Sequence, residues 1–539
     1  FYLGSFPASF SNATAGLLDM RFRKGNNERR EYTFQAGLLG LDLAAEGPIR
    51  QGQSSYLVNY RYSFTGLLSD LGVPLGDEDI RFQDFSYHLS FPSETGRQLK
   101  IFGLSGGSSN TFEQPEDPSD WNTEKDLYQS IDFDSNTNSH GFSWTKPQKD
   151  KGLWRVAGML SWLNSERTAI PSDEAPKEED QLEERRSSLQ LSYRRKLLPF
   201  GSLKIGVEGV HLDQSSTYIR DDDQGNSRAK DGFIISPYVD WRYQIKKVNL
   251  ALGYRTSLWL NWPDWTGKTA YGEPRLSAGY AFSKKNSLQF DYSVSSQASS
   301  VYAPAFLPRR MKQSSLSWVF LVNNNRKLKL QLYQQQLSQI AGTGALSELN
   351  QLNEFLTDIT ATSEGRNRGT EISLQQFATG GWWYVISAAI FDARYLNEEQ
   401  EWVKSRFAQD YNSSITLGKE WSGSDHKDSF NRFGFNVALR LNGGLRTAPI
   451  LLNESSVNNT TVFDYDAGFS EQLPAYFRGD LRIYFQKNKE NWSSMLSLDI
   501  QNFTGQQNTA YFYYDRFLDE VTTRYQLEFI PLLSYRINF

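Results

Sequence analysis

The chain ends in the stretch PLLSYRINF, residues 531–539, and the pattern in this stretch decides how the fold is interpreted. Leu533, Tyr535, Ile537 and Phe539 are large and apolar, whereas the residues between them are Ser, Arg and Asn. Successive side chains of a strand point to opposite faces, so the stretch predicts a final strand with one apolar and one polar face. A soluble β-sandwich would show the same pattern, and the stretch alone leaves the two classes open.

The same two-residue period returns in many other parts of the chain. It is clear in VNLALGYRTSLWL at 248–260 and again at 275–282, 288–294 and 327–332. Charged residues lie on the second face in each case. A sandwich core accepts few charges, so this polar face is expected to meet water, outside a soluble protein or inside a wide barrel.

Composition excludes several classes of protein. The 539 residues are only 39% hydrophobic but 14% aromatic, with a mean hydropathy of -0.57. A membrane-spanning helix needs about 20 mostly apolar residues, and the run WWYVISAAIF at 382–391 is far shorter. There is no cysteine for disulfides or thiolate metal sites, and the net charge of -5 argues against nucleic-acid binding. Because Phe1 is not an initiator Met and no signal peptide follows, we interpret the chain as processed or partly represented.

The connections between predicted strands alternate between tight turns and long polar loops. The tight turns lie near 246, 283, 323, 379 and 487; the long segments are 106–136, 166–183, 341–363, 444–474 and 504–528. Outer-membrane barrels combine short periplasmic turns with longer extracellular loops. Strands assigned by this rule from Glu31 to Phe539 number about 22, the size of plugged outer-membrane transporters. The sequence therefore predicts an all-β, closed antiparallel transmembrane barrel whose last strand pairs with its first, with Phe539 at the periplasmic rim.

Several motifs resemble TonB-dependent outer-membrane transporters of Bacteroidetes type. In order, they are FPASFSNATAGLLDMRFRKGN at 6–26, LDLAAEGPI at 41–49, YLVNYRYSF at 56–64, EGRNRGTEISLQ at 364–375, ITLGKEW at 415–421, LPAYFRGDLRIYF at 473–485, LSLDIQNFTGQQN at 496–508 and IPLLSYRINF at 530–539. The resemblance implies that residues 1–30 are the C-terminal remnant of a plug domain and that residues 31–539 are the barrel. It also implies a multi-pass location among the lipids of the bacterial outer membrane and coupling to the TonB–ExbB–ExbD complex.

Two functions are compatible with this resemblance. The first is TonB-dependent active import of a scarce, bulky nutrient such as a siderophore, a peptide or an oligosaccharide. The second is a structural or accessory barrel in a larger outer-membrane complex. Most of the family's plug and its energy-coupling box are not part of the sequence, and a surface lipoprotein or other outer-membrane subunits stay open as partners.

Catalysis finds no support in the sequence. The four histidines, His88, His140, His211 and His426, are isolated and show no metal-ligand spacing. There is no cysteine nucleophile and no GxSxG elbow. We therefore expect a protein that is not an enzyme and that has no cofactor apart from an ion bound by its loops.

Candidate binding residues fall into three groups. Trp262 and Trp265 follow a strand end and are candidates for ligand stacking, although Trp also anchors barrels at the membrane interface. Four arginines are predicted to face the lumen, where they could guide an anionic substrate or pair with plug carboxylates: Arg255, Arg440, Arg478 and Arg482. Three consecutive carboxylates are candidates for binding Ca²⁺, with a solvated loop as the alternative: Asp221, Asp222 and Asp223.

Overall fold

The computed structural model describes most of the chain: residues 2–3, 5–64, 78–117, 126, 128–149, 151–172, 177–197, 199–220, 226–261, 270–298, 308–341, 362–397, 399–423 and 429–539. The strands are β1 Tyr2–Leu3, β2 Gly16–Leu17, β3 Glu31–Gly37, β4 Gly40–Arg50, β5 Ser54–Phe64, β6 Glu78–Pro92, β7 Gln98–Glu113, β8 Tyr128–Pro147, β9 Gly152–Pro171, β10 Glu178–Lys196, β11 Ser202–Arg220, β12 Asn226–Ile245, β13 Val248–Leu260, β14 Ala270–Tyr280, β15 Asn286–Gln297, β16 Arg309–Asn323, β17 Arg326–Ala341, β18 Thr362–Thr379, β19 Trp382–Leu396, β20 Trp402–Lys404, β21 Tyr411–Ser422, β22 Ser429–Asn442, β23 Arg446–Thr447, β24 Glu471–Gln472, β25 Tyr476–Lys489, β26 Ser493–Gln501, β27 Thr509–Asp515, β28 Glu520–Tyr525 and β29 Ile530–Asn538. A single helix, α1 Leu452–Asn458, lies among these residues. No helix in the described part of the chain is long and apolar enough to cross a membrane.

Within the described residues, 22 strands form one closed antiparallel barrel, and the three-residue strand β20 pairs with the end of β19 beside them. Each of these 22 strands pairs with the next of the 22 along the chain, so that β22 pairs with β25 and β26 with β29, and β29 pairs with β3. At this seam the backbone N–H of Tyr32 donates to the carbonyl of Phe539 at 2.8 Å, and the N–H of Phe539 donates back at 3.0 Å. The expected closure by the last strand is confirmed, and it leaves no unpaired edge in the wall.

The two faces of the wall differ as the sequence predicts. Across β25 and β26, Ile483 lies opposite Leu498, and each side chain is 37% exposed. One residue away, Arg482 lies opposite Asp499, and its Nη1 is 3.2 Å from the carboxylate. A barrel with an apolar outside and a polar inside has the surface of a protein that crosses a lipid bilayer with its strands.

Antiparallel pairing fixes the side on which each connection lies. The connections after β7, β22 and β26 fall on one side, and the turn at 281–285 falls on the other, together with Phe539. The predicted asymmetry of long loops and tight turns therefore agrees with the strand topology.

Exposed aromatic side chains collect at the end of the barrel where the tight turns lie. Trp382, Trp421, Phe485 and Phe539 all lie at strand ends on this side and are 44–56% exposed. Rings in such positions are typical of the girdle at a membrane–water interface. This placement favours membrane anchoring for Trp382, whereas Trp383 lies opposite Gly418 on the inner face.

The strands run further on the long-loop side than the sequence indicates. Parts of the predicted loops 106–136 and 166–183 belong to β7–β10. Strands β8 and β9 have 20 residues each, which corresponds to a height of about 50 Å along a tilted barrel, roughly twice the apolar band. Beyond the band both faces meet water, so the apolar alternation that reveals a strand disappears.

Glycines on the inner face make room for aromatic rings from neighbouring strands. A Cβ added to Gly434 of β22 would lie 2.3 Å from Cζ of Tyr484 on β25. The Tyr484 ring crosses this gap, and its hydroxyl donates to Glu420 of β21 at 3.0 Å. One side chain thereby links three neighbouring strands inside the barrel.

Candidate functional site

The chain's own N-terminal segment lies against the polar face of the wall. Residues 5–14, called the docked segment below, contact side chains of β10 to β15. The segment bends in a turn closed by the N–H of Phe10, which donates to the carbonyl of Pro7 at 3.1 Å. Because the barrel is closed and its apolar face points outward, this contact lies in the lumen.

The wall binds the docked segment mainly through its backbone. Asp240 of β12 accepts the N–H groups of Ala8 at 2.8 Å and Ser9 at 3.2 Å. Arg255 of β13 donates to the carbonyl of Ala8 at 2.6 Å. Two further side chains complete a set of six hydrogen bonds to the backbone of residues 6–9: Arg275 of β14 donates to the carbonyls of Phe6 and Pro7, and Gln190 of β10 donates to the carbonyl of Ser9.

Side chains of the docked segment add contacts on both flanks of this site. The Ser11 hydroxyl donates to Glu208 of β11 at 2.5 Å. The Thr14 hydroxyl donates to Gln297 of β15 at 2.9 Å. Asn12 accepts the backbone N–H of Ala298 at 2.6 Å. The segment is therefore tied to the wall across six consecutive strands.

The charged groups of the site form one buried network, called the wall cluster: Glu208, Asp240, Arg255, Glu273 and Arg275. Arg255 is 0% exposed and pairs with Glu208, and its guanidinium lies 5.4 Å from the Tyr238 ring. Arg275 pairs with Glu273 at 3.0 Å, and its guanidinium lies 4.3 Å from the centroid of the Phe6 ring. Buried charges are costly unless they are paired and hydrogen-bonded, and here each arginine has both a carboxylate and backbone carbonyls.

Strand alternation and one glycine explain why the cluster forms at this place. Asp240 lies opposite Gly253, and Gly253 lies opposite Arg275, so the three share a row on the inner face. A Cβ added to Gly253 would lie 2.9 Å from the Asp240 carboxylate and 3.1 Å from Cβ of Ala8. The missing side chain allows the turn of the docked segment to approach the wall.

Residues 15–30 connect the docked segment to β3, and residues 18–21 within this connection are held more loosely. Leu18 and Met20 are 61% and 75% exposed. The stretch is tied down at its far end, where Arg23 donates to the Glu46 carboxylate at 2.5 and 2.7 Å. These bonds raise the pKa of Arg23 above its usual range. The Phe22 ring stacks near His88 at 6.1 Å.

The arginines singled out from the sequence have different surroundings. Arg255 belongs to the wall cluster. Arg440 is exposed and lies opposite Arg478 across β22 and β25. Arg478 pairs with Asp480 at 2.6 Å, and Arg482 pairs with Asp499. Arg440, Arg478 and Arg482 share one part of the inner wall, away from Arg255, and their role as ligand contacts stays a prediction.

The remaining candidates lie outside the described residues: Trp262, Trp265, Asp221, Asp222 and Asp223. Within the described ranges, no group of three or more His, Asp or Glu side chains is arranged to hold a metal ion. The stacking and Ca²⁺ hypotheses therefore stay predictions.

Sequence reasoning identified Arg255 but missed its partners Glu208, Asp240, Glu273 and Arg275. The available signal was a run of opposite charges on the lumen face of four successive strands, β11 to β14. The sequence does not show that residues 5–14 lie against these charged residues.

A closed barrel of this size, apolar outside and polar inside, with a segment of its own chain in the lumen, defines the class of large outer-membrane barrels. No protein-family model and no characterised protein of similar sequence matches the chain. Solved structures do share its fold. The ferripyoverdine receptor of Pseudomonas aeruginosa superposes with a TM-score of 0.73 at 12% identity, covering 98% of this chain and 75% of the receptor.

Two further structures agree. The ferric-catecholate import receptor Fiu of E. coli K12 gives a TM-score of 0.70 at 11% identity, covering 99% of this chain and 85% of its own. The ferric yersiniabactin uptake receptor FyuA of Yersinia pestis gives 0.67 at 11%, with coverages of 98% and 82%. The fold is that of TonB-dependent outer-membrane receptors, and it is a multi-pass outer-membrane fold.

Proposed function

We propose that this protein imports a scarce, bulky nutrient across the outer membrane in a TonB-dependent manner. The observation that carries the proposal is the docked segment in the lumen, bound by six hydrogen bonds to its backbone. A barrel of about 22 strands leaves an aqueous channel unless its lumen is filled. A segment bound to the wall in this way fits the end of a plug domain, which would keep the lumen closed at rest.

Opening such a plug requires energy that the outer membrane itself does not supply. We propose that the TonB–ExbB–ExbD complex supplies it, and that the protein belongs to the Bacteroidetes type of these transporters. The ordered motifs between residues 6 and 539 support this type. A surface lipoprotein or other outer-membrane subunits are further partners compatible with the resemblance.

For the substrate we retain three classes: siderophores, peptides and oligosaccharides. The similar receptors are described as carriers of ferric complexes, which makes ferric siderophores the first class to test. Arg440, exposed on the inner wall opposite Arg478, is the strongest lumenal candidate for contact with an anionic ligand. Trp262 and Trp265 are the candidates for first contact at the cell surface.

Uptake by whole cells tests the proposal. Cells with and without this protein, each with and without TonB, are given ferric catecholate carrying radioactive iron, a labelled peptide mixture and a labelled oligosaccharide mixture. We expect accumulation of one class that requires both the protein and TonB and that stops when the proton gradient is collapsed. Uptake that persists without TonB would indicate passive diffusion. No uptake of any class, together with stable co-purification of other subunits, would favour the accessory role.

A further inference from the structure

We propose that the outer surface of β16 to β20 binds the phosphate groups of lipids in the outer leaflet of the membrane. The site is a group of basic side chains, called the outer basic cluster: Lys312, Arg366, Arg368, Arg394 and Lys404. The inference goes beyond nutrient import, because it depends on the outer-membrane barrel alone and not on TonB.

The register of the strands places these basic residues side by side. Arg366 of β18 lies opposite Arg394 of β19, and Arg394 lies opposite Lys404 of β20. On the other side of Arg366, Gln336 of β17 separates it from Lys312 of β16. Like charges directly opposite each other destabilise a sheet. A bound anion would offset this repulsion.

The row faces outward and lies just above the apolar surface of the barrel. Four positions nearer the tight turns, Leu316, Leu332 and Ile390 are 40%, 49% and 73% exposed. Residues four apart on a strand share a face, so the basic row continues this lipid-facing surface. The inner face at the same level carries Tyr395, which is 4% exposed and packs against Phe469. The outer basic cluster therefore lies where lipid headgroups meet the barrel on the long-loop side.

Two carboxylates within the cluster neutralise only part of its charge. Arg394 pairs with Asp392 at 2.9 Å, and Lys404 lies 3.1 Å from the same carboxylate. Lys404 also pairs with Asp410 at 2.5 Å. Five cations thus share two carboxylates, and positive charge stays in excess.

The other three cations are available to a ligand in different ways. Lys312 and Arg368 are exposed and form no ion pair with any residue that the structure describes. The guanidinium of Arg366 lies 4.2 Å from the centroid of the Trp402 ring. A guanidinium presents a planar fork of donors that matches two phosphate oxygens, and Trp favours the membrane interface. Together these side chains suit a phosphate at the lipid surface.

The charge on this face changes sign further from the membrane. Glu364 lies two positions beyond Arg366 on β18, away from the tight turns. Glu399 and Glu401 lie in the turn between β19 and β20. Positive charge is thus concentrated at the level of the headgroups, where anionic lipids attract it most strongly.

The corresponding surface of β9 to β12 does not share this excess. There Trp162 lies opposite Arg185, Arg185 opposite Asp213, and Asp213 opposite Asp231. Arg185 also lies 3.6 Å from Glu183. A basic rim is therefore not a general property of the barrel, and Arg185 supplies a matched control.

Lipid binding by the purified protein in detergent tests the proposal. The probe is lipid A, a phosphorylated glucosamine lipid, and native mass spectrometry measures the bound fraction. We expect Arg366→Gln combined with Arg368→Gln to weaken binding at least roughly tenfold, because two contacts to phosphate are lost. Arg185→Gln should bind like the unmodified protein. Equal binding by all three proteins, or no binding by the unmodified one, would overturn the proposal.

Two further arms identify the source of the phosphate. Lipid A freed of its phosphates should bind weakly, and equally, to the unmodified protein and to the double variant. Full binding of this lipid would show that its acyl chains alone are held. An excess of inorganic phosphate should leave lipid A bound, and displacement would reduce the cluster to a site for free anions. Binding of polyglutamate in place of lipid A would indicate an acidic protein partner and overturn the lipid.

Folding and charge are controlled separately. Heat-dependent migration on gels shows whether each variant forms a barrel. Arg366→Lys with Arg368→Lys should retain more binding than the glutamine pair, because the charges are kept although the forks are lost. If the glutamine pair does not fold, Lys312→Gln replaces it, since Lys312 is exposed. Unchanged lipid binding by that variant would likewise count against the cluster.

Discussion

Replacing Asp240 by Asn should loosen the docked segment without disturbing the rest of the barrel. The carboxylate accepts two backbone N–H groups, from Ala8 at 2.8 Å and from Ser9 at 3.2 Å. Asn has nearly the same shape, but one oxygen becomes an NH₂ group that can only donate. One backbone N–H is then left facing a donor in a buried site, and the other loses its charged partner.

The size of the effect follows from these two losses. A buried group left without its hydrogen bond costs about 1–3 kcal/mol, and a bond to a charged group contributes about 1.5–3 kcal/mol against roughly 1 kcal/mol for a neutral one. Together they predict a loss of about 2–4 kcal/mol in the free energy that holds the segment on the wall. At 1.4 kcal/mol per tenfold, hydrogen exchange at Ala8 and Ser9 should accelerate roughly 30- to 700-fold.

Hydrogen-exchange mass spectrometry on the purified barrel in detergent measures this directly. The peptide spanning residues 5–14 reports on the docked segment, and peptides from β25 and β26 report on the wall. Asp499→Asn is the matched control, because Asp499 pairs with Arg482 on the inner face and contacts no residue of the segment. Unchanged exchange at Ala8 and Ser9 in Asp240→Asn, or equal acceleration in both variants, would refute the argument that Asp240 holds the segment.

Three further results are expected. Ile483→Arg should destabilise the barrel by roughly 2–4 kcal/mol, measured by unfolding from lipid bilayers, because it places a charge on the lipid face. Arg482→Gln, on the inner face, should cost far less. Equal costs would show that the two faces are misassigned. Gly434→Val should push the Tyr484 ring out of its gap and, by overpacking, lower the free energy of unfolding by about 1–3 kcal/mol in the same assay. An unchanged stability would show that the gap is not needed. External protease on intact cells should cut the long connections and spare the turn at 281–285, and cleavage at that turn would show that the barrel has the opposite orientation.

The barrel could be predicted from the sequence because lipid and water impose a period of two on each strand. The turns at 246–247 and 324–325 appear where the apolar alternation is interrupted by Lys or Asn. The alternation fails as a guide where water lies on both sides, and for this reason β9 and β10 run into the stretch at 166–183 that the sequence predicts as a loop. The position of a strand end outside the bilayer depends on pairing with its neighbour rather than on its own composition.

The candidate site was harder to predict because it joins parts of the chain that are distant in sequence. Ala8 and Asp240 are separated by 232 positions, and only closure of the barrel brings β12 to the place where the segment lies. Composition gives no sign that the backbone of residues 6–9, rather than their side chains, is the group that the wall binds. Opposite charges on the lumen face of neighbouring strands do mark the wall side of the contact.

The barrel wall and the docked segment stabilise each other through the wall cluster. Arg255 and Arg275 lie in the lumen wall with almost no exposure, and the carboxylates of Glu208 and Glu273 satisfy only part of their hydrogen-bonding capacity. The carbonyls of residues 6–8 supply further acceptors, and the ring of Phe6 covers Arg275. Burial of these charges is favourable only with the segment in place, because a buried guanidinium without partners costs several kcal/mol. The segment therefore completes the inner wall of the barrel instead of merely filling space within it.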